Sequence, residues 1–282
     1  MCRFVIYSGP PIPLDHIITR PAHSIIQQSK DSTLRSEPVN GDGFGMAWYV
    51  PSVSPHPGVF RSIRPAWNNR NVRSISRVTT SGLVAAHVRA ASPELPVADV
   101  NCHPFTFGRY AFMHNGGIAR FKSLRRRLVD SLSDAAYEGV EGTTDSEIAF
   151  ALFLDRLDVQ PSDLPASDRI ANAVEKTIHD IVQIAGGDDV SYLNFAVTDG
   201  KRVVASRFAT DPKVAPSLFL NEGCHYVLEG DQVHLRQCAN AHSAVVISSE
   251  PLSADEEWKE IERNSLVVVT AKRRVLHRKL AC

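Results

Sequence analysis

The sequence predicts an α+β protein built on antiparallel sheets. Short β-branched or alternating segments fill both ends of the chain, and amphipathic helical segments sit in its middle. Links between neighbouring strand segments are short, and parallel pairs would need long crossovers. The expected strands are 2–7, 43–50, 58–63, 82–89, 110–114, 191–198, 201–208, 217–220, 232–235, 244–248 and 266–272. Asp199-Gly200 falls between two of them and favours a tight type I′ hairpin.

Helices are expected in four places. Residues 13–28 read as one or two short helices interrupted near Pro21. Leu124, Leu128 and Leu132 form an amphipathic stripe over 119–132, with Arg125, Arg126 and Arg127 on its solvated face. Thr144 and Glu147 stand at capping-box spacing at the head of 144–157, and Ile148 and Leu152 share one face. Ile170, Val174, Ile178 and Ile181 are in phase over 167–184, and Gly186-Gly187 supplies the stop. The stretch 161–165 reads as a loop inside one domain, and no internal repeat is present.

Composition narrows the function classes. A chain of 282 residues with 43% hydrophobic and 22% charged residues can bury a sizeable core, so wholesale disorder is excluded. The 31 basic and 31 acidic side chains cancel, which gives no general pull toward nucleic acid or anionic membrane. No apolar run approaches the ~18 residues of a membrane span, and the apolar stretch near the N-terminus is too short for a signal peptide. Five cysteines, Cys2, Cys102, Cys224, Cys238 and Cys282, form no disulfide framework, so a cytoplasmic setting is expected. Cys102-His103 and Cys224-His225 are adjacent pairs without metal-ligand spacing, so neither a metal nor a cofactor is expected.

Several positions could carry chemistry, and each has a plainer reading. Removal of Met1 would leave Cys2 with a thiol and an α-amine on one residue. That amine has a reference pKa of about 7.7–8, suited to a general base, and the thiolate is a strong nucleophile. The plainer Cys2 is a small residue opening a strand. Asn40-Gly41-Asp42-Gly43-Phe44-Gly45 permits close backbone approach; a phosphate-cradling loop is the other reading, but no Gly-Lys-Ser/Thr follows. Arg89 ends His87-Val88-Arg89 and could clamp a carboxylate bidentately or form a surface ion pair. Asn115 beside Gly116 and Gly117 has the composition of an oxyanion hole, or of a hairpin turn. Asp145 in Thr143-Thr144-Asp145-Ser146-Glu147 could complement a helix dipole or bind a substrate ammonium.

The order of these segments resembles the class II glutamine amidotransferases, the N-terminal-nucleophile (Ntn) cysteine hydrolases. It runs Cys-Arg-Phe, Asn-Gly-Asp-Gly-Phe-Gly, His-x-Arg, His-Asn-Gly, Thr-Asp-Ser-Glu over about the first half of the chain. Ser248-Ser249-Glu250-Pro251-Leu252 and Trp258 resemble the family's C-terminal strands. Arg20-Pro21-Ala22-His23-Ser24 is similar to the stand-alone branch, which includes the fungal glutathione-degrading amidotransferase subunit and ergothioneine-pathway γ-glutamyl hydrolases.

The resemblance implies a four-layer αββα Ntn-hydrolase sandwich of antiparallel sheets over a single domain, 1–282. It implies Cys2 as nucleophile with its own amine as base, Asn115 and Gly116 as the oxyanion hole, Arg89 on the substrate α-carboxylate and Asp145 on its α-ammonium. The expected activity is hydrolysis of a small-molecule γ-glutamyl amide through a thioester. The alternatives are ammonia supply to a separate synthase, or a non-catalytic partner subunit. A peptidase-like or synthase partner is compatible with it. Two departures from the family stand out: Ala90-Ala91-Ser92 after the arginine, and Gly43 where many relatives carry Ser. Choice of leaving group is expected to fall to the loops 51–57 and 92–97.

Overall fold

The computed structural model describes residues 2–34, 39–91, 96–223, 225–230, 232–236, 243–254 and 257–280. Cys224, Cys238, Cys282 and the 92–95 part of the second loop lie outside the described residues. In chain order the first half holds β1 (Arg3–Pro13), α1 (Asp15–Ile18), α2 (Ile25–Lys30), β2 (Phe44–Trp48), β3 (Gly58–Ser62), α3 (Arg70–Val78), β4 (Thr80–Val88), β5 (Phe105–Phe107) and β6 (Tyr110–Gly117). Four helices follow: α4 (Phe121–Asp130), α5 (Asp134–Glu138), α6 (Asp145–Asp158) and α7 (Ala166–Ala185). The remaining strands are β7 (Tyr192–Thr198), β8 (Val203–Arg207), β9 (Phe219–Gly223), β10 (His225–Glu229), β11 (Gln232–Arg236), β12 (Ala244–Ser248), β13 (Lys259–Glu260), β14 (Ser265–Val269) and β15 (Val275–Lys279).

Among the described residues the strands form two large antiparallel sheets. One runs β13-β9-β12-β1-β4-β2-β3 and the other β15-β14-β8-β7-β6-β5, with β10-β11 as a separate hairpin. Period-two alternation decides the layers. Phe4 and Ile6 of β1 point between the sheets and meet Met113, Ala196 and Val267. Val5 and Tyr7 point the other way, onto Ile17 and Ile18 of α1, Ile25 of α2 and Val72 of α3. On the far side Phe112, Phe195 and Val204 pack under α4, α6 and α7 through Leu128, Leu152, Phe153 and Ile178. The result is the expected αββα sandwich.

Local chemistry explains most boundaries. Helix α6 starts where the Thr144 hydroxyl accepts the Glu147 N–H at 3.2 Å. Its Glu147 carboxylate does not reach back to complete the capping box; it accepts the N–H groups of Glu141 and Gly142 at 3.0 and 2.7 Å instead. Arg125, Arg126 and Arg127 are exposed and Leu124 and Leu128 buried, as the stripe implied. Helix α7 ends on Gly186 and Gly187, both with positive φ. The β7–β8 link departs from expectation. Thr198 pairs with Val203, leaving four residues in the turn, where Asp199 Oδ1 accepts the N–H groups of Lys201 and Arg202. That side-chain turn, with Gly200 at φ +84°, replaces the type I′ hairpin.

Candidate active site

Strand register gathers the candidate residues. Arg3 of β1 and Phe44 of β2 both pair with Val88 of β4, so Cys2, Gly43 and Arg89 lie together at the ends of three neighbouring strands of the seven-stranded sheet. The Cys2 thiol lies 3.6 Å from the Ala90 carbonyl oxygen. Asp42 closes the same corner: its N–H donates to Arg89 O at 3.0 Å, and its Oδ2 accepts the Ala91 N–H at 2.8 Å. The Asn40–Gly45 stretch is therefore a packing corner. A Cβ on Gly43 would stand 2.6 Å from the Cys102 sulfur, and φ there is +139°, which explains glycine in place of Ser. A Cβ on Gly45 would stand 1.9 Å from His103 O.

The second wall comes from β6 and α6. Asn115 and Gly116 lie inside β6, opposite Asn194 and Leu193 of β7, so they do not form a hairpin turn. A Cβ on Gly116 would sit 1.9 Å from Tyr192 O, so this ladder position admits glycine alone. Asn115 is buried, and its Oδ1 has no hydrogen-bond partner among the described residues. Asp145 opens α6 and turns back onto β6: Oδ2 accepts the Ile118 N–H at 2.8 Å, and Oδ1 accepts the Ser146 N–H at 2.8 Å. The Tyr192 carbonyl takes the His114 Nε2 proton at 2.8 Å, so neutral His114 accepts the Ser146 hydroxyl at Nδ1, 2.9 Å away.

Charge completes the picture. Arg89 is only 4% exposed, yet among the described residues its guanidinium meets just the Pro96 carbonyl, at 3.3 and 3.4 Å. Among the described residues neither Arg89 nor Asp145 forms an ion pair. A buried cation without a counter-charge is costly, and a bound carboxylate would relieve it. Burial pushes the Cys2 thiol up; the Arg89 cation opposes this and the Asp145 carboxylate adds to it, so both groups act at the sulfur. A thiol held protonated requires an adjacent base to become a nucleophile. Burial pushes the Cys102 thiol up to about 11 and holds His87 down to about 3. Both are neutral at physiological pH. Among the described residues no group of three or more His, Cys, Asp or Glu could hold a metal ion.

Two contributors have no role assigned by the motifs: Asn101, and the Arg3–Glu250 pair, whose segments enter the resemblance without a function. Asn101 joins the Arg89 and Asp145 arms: its Nδ2 donates to Pro96 O at 3.0 Å and to Thr143 Oγ1 at 3.1 Å, and its Oδ1 accepts the Thr143 N–H at 3.0 Å. Behind Cys2, Arg3 and Glu250 form a buried ion pair with Nε···Oε1 at 2.7 Å. A charged residue opening a buried strand was the available signal for Arg3. The 51–57 loop, expected near the leaving group, joins β2 to β3 at the Trp48–Gly58 end, remote from Phe44–Ser62 and the candidate residues. The segments 39–43 and 96–101 flank Arg89 instead.

A four-layer αββα sandwich of antiparallel sheets is the architecture of the Ntn-type glutamine amidotransferases. The model for the family "Glutamine amidotransferases class-II" matches residues 30–279. The chain is 40% identical over 300 residues to the Saccharomyces cerevisiae "Probable glutamine amidotransferase DUG3", covering 98% of this chain and 84% of that one. It is 26% identical over 273 residues to the Mycolicibacterium smegmatis "Gamma-glutamyl-hercynylcysteine sulfoxide hydrolase", covering 95% and 96%. A solved class II amidotransferase domain protein from Silicibacter pomeroyi superposes with TM-score 0.66 at 26% identity, over 99% of this chain and 100% of that one. The glutamine phosphoribosylpyrophosphate amidotransferase of B. subtilis shares the fold at 14% identity, with TM-score 0.58 over 100% of this chain and 49% of that one. The chain belongs to the class II glutamine amidotransferases and is an enzyme of γ-glutamyl amide hydrolysis.

Proposed function

We propose that the protein is an N-terminal-cysteine amidohydrolase of the cytoplasm, one domain over residues 1–282, cleaving a γ-glutamyl conjugate to glutamate and an amine. The observation that carries this reading is a buried cation, Arg89, and a carboxylate, Asp145, neither of which has an ion-pair partner among the described residues. Together they match the α-carboxylate and α-ammonium of a glutamyl head.

Once Met1 is removed, the Cys2 α-amine takes the thiol proton and the sulfur attacks the γ-carbonyl carbon. Asn115 Nδ2 and the Gly116 N–H stabilise the resulting oxyanion. Collapse breaks the C–N bond, and the amine leaves with the proton held by the α-amine. Water then hydrolyses the thioester, releases glutamate and restores the thiol. Each step uses protein groups and water, without a cofactor.

Similarity to a γ-glutamyl conjugate hydrolase favours conjugates such as glutathione over free glutamine. Recognition through Arg89 and Asp145 reads only the head, so the segments 39–43 and 96–101 select the leaving group. A peptidase-like partner would process the released amine. The second reading, a glutaminase subunit feeding a synthase, rests on the family membership itself. A glutamate-release assay over glutamine, glutathione and simple γ-glutamyl amides, with and without candidate partners, decides. Conjugates should show the higher kcat/KM. Free glutamine as best substrate, with activity only beside a synthase, would overturn the proposal.

A further inference from the structure

The Cys2 mechanism leaves unexplained how the residue that supplies both nucleophile and base is held still. Cys2 precedes the first laddered pair, Arg3 with Val88, so strand pairing begins one residue too late to fix it. The nearest anchor is a side chain. Arg3 Nη1 donates to the Cys2 carbonyl oxygen at 2.9 Å, while Nε of the same guanidinium donates to Glu250 Oε1 at 2.7 Å. The planar fork thus holds the nucleophile's backbone with one edge and a buried carboxylate with the other.

Glu250 is an unusually well-fixed anchor. It is fully buried, two residues after the end of β12. Its Oε2 accepts the Thr33 N–H at 3.0 Å and the Thr33 hydroxyl at 2.9 Å, and lies 3.0 Å from His23 Nε2. Ser32 Oγ bridges the pair, donating to Oε1 and accepting from Arg3 Nη2. Ser249 binds the same strand: its N–H donates to Phe4 O at 2.9 Å, and its hydroxyl accepts the Phe4 N–H at 3.0 Å. The His23 and Glu250 segments, separated by over two hundred residues, therefore meet directly behind Cys2. Stability alone does not require an ion pair here, since apolar side chains of similar size often serve a core as well.

We propose that Glu250 and Arg3 are positioning residues for the Cys2 backbone. Glu250 sets the plane of the guanidinium, and Arg3 fixes the Cys2 carbonyl and with it the direction of the α-amine relative to the thiol. This inference rests on the Cys2 mechanism proposed above.

The test uses the full chain with Met1 removal checked by intact mass. Arg3→Lys keeps the buried charge pair but loses the fork, and Arg3→Met with Glu250→Met removes the pair in a packable form. Each is compared with wild type for thermal stability, kcat, KM and the rate at which an electrophilic glutamine analogue labels Cys2. Arg3→Lys should lower kcat and the labelling rate by at least ~10-fold with KM within about twofold, because Arg89 and Asp145 are untouched. The double variant should regain wild-type stability while kcat stays low. Wild-type kcat and labelling rate in either folded variant would overturn the inference. Ser32→Ala, a smaller change to the same bridge, should lower kcat severalfold, and a wild-type kcat there would also count against it. Failure of the analogue to label Cys2 in the wild-type protein would instead remove the nucleophile reading itself.

Discussion

Asn101 and Thr143 exchange two hydrogen bonds, with Asn101 Nδ2 donating to Thr143 Oγ1 at 3.1 Å and Thr143 N–H donating to Asn101 Oδ1 at 3.0 Å. Since Asn101 also holds Pro96 O, the carbonyl facing Arg89, this one buried amide ties the segment beside Arg89 to the one that leads into Asp145, the two groups proposed to bind a glutamyl head.

Asn101→Asp is nearly isosteric but loses the donor to both Pro96 and Thr143. It should raise KM for a γ-glutamyl substrate about 5–10-fold with a smaller change in kcat, because each lost buried hydrogen bond is worth roughly 1 kcal/mol. Steady-state kinetics check this. A purely catalytic defect would show that the clamp does not govern head binding.

Recognition variants should behave differently from nucleophile variants. Arg89→Lys keeps charge without the fork, and Asp145→Asn removes the ammonium's counter-charge. Each should lower kcat/KM at least ~10-fold, about 1.4 kcal/mol of transition-state binding. Unaltered kinetics in Asp145→Asn would reduce that residue to its contacts with Ile118 and Ser146.

Cys2→Ala should abolish turnover, and Cys2→Ser should leave little, since a hydroxyl ionises far less readily than a thiol. The same logic makes Met1 removal obligatory: an amide nitrogen at Cys2 is no base. Intact mass alongside activity is the measurement. Full activity from protein retaining Met1 quantitatively would rule out the α-amine as base.

The Gly43 and Cys102 contact should be energetically coupled. Gly43→Ala introduces both a Cβ clash with the sulfur and a positive φ on a non-glycine residue, costing on the order of 2–3 kcal/mol. Cys102→Ala should return about 1 kcal/mol of that in the double variant, by denaturant titration of all four proteins. Strict additivity would mean that backbone strain alone carries the cost.

Acid should weaken the fold in two windows. Burial holds His87 down at about 3 and keeps His103 and His114 below the ordinary 6.5. The unfolded chain therefore takes up these protons first, so their stability contribution is present above about pH 6.5 and drains as pH falls. For Glu250, burial opposes ionisation, but hydrogen bonds from His23, Ser32 and Arg3 outweigh it and hold the carboxyl well below the ordinary 4.5. Its contribution is lost only below about pH 4.5. Urea midpoints across both windows should show His87→Gln reducing the pH dependence between about 6.5 and 3, with the Glu250 loss below about pH 4.5 still present. An upper window unchanged in that variant would place the proton uptake elsewhere.

The sequence by itself determined the local elements whose signals lie within one turn or one strand. Leu124 and Leu128 marked the face of α4, Thr144 marked the start of α6, and Ala244–Ser248 was a strand at its expected bounds. It also listed Cys2, Arg89, Asn115, Gly116 and Asp145 in family order. Elements with weak local patterns were missed. Strand β15, Val275–Lys279, is an edge strand carrying His277, Arg278 and Lys279, and α3 is a polar helix with Val72 and Ser76 as its buried positions. Tertiary structure alone decided that Arg89 is a buried cation rather than a surface one, and that the 51–57 loop lies at the end of β2 far from Cys2 and Arg89. It alone paired Arg3 with Glu250 and Asn101 with Thr143. The physical reason is the same in each case: hydrogen-bond partners and counter-charges come from segments tens to hundreds of residues away, and only the register of the sheets brings them within reach.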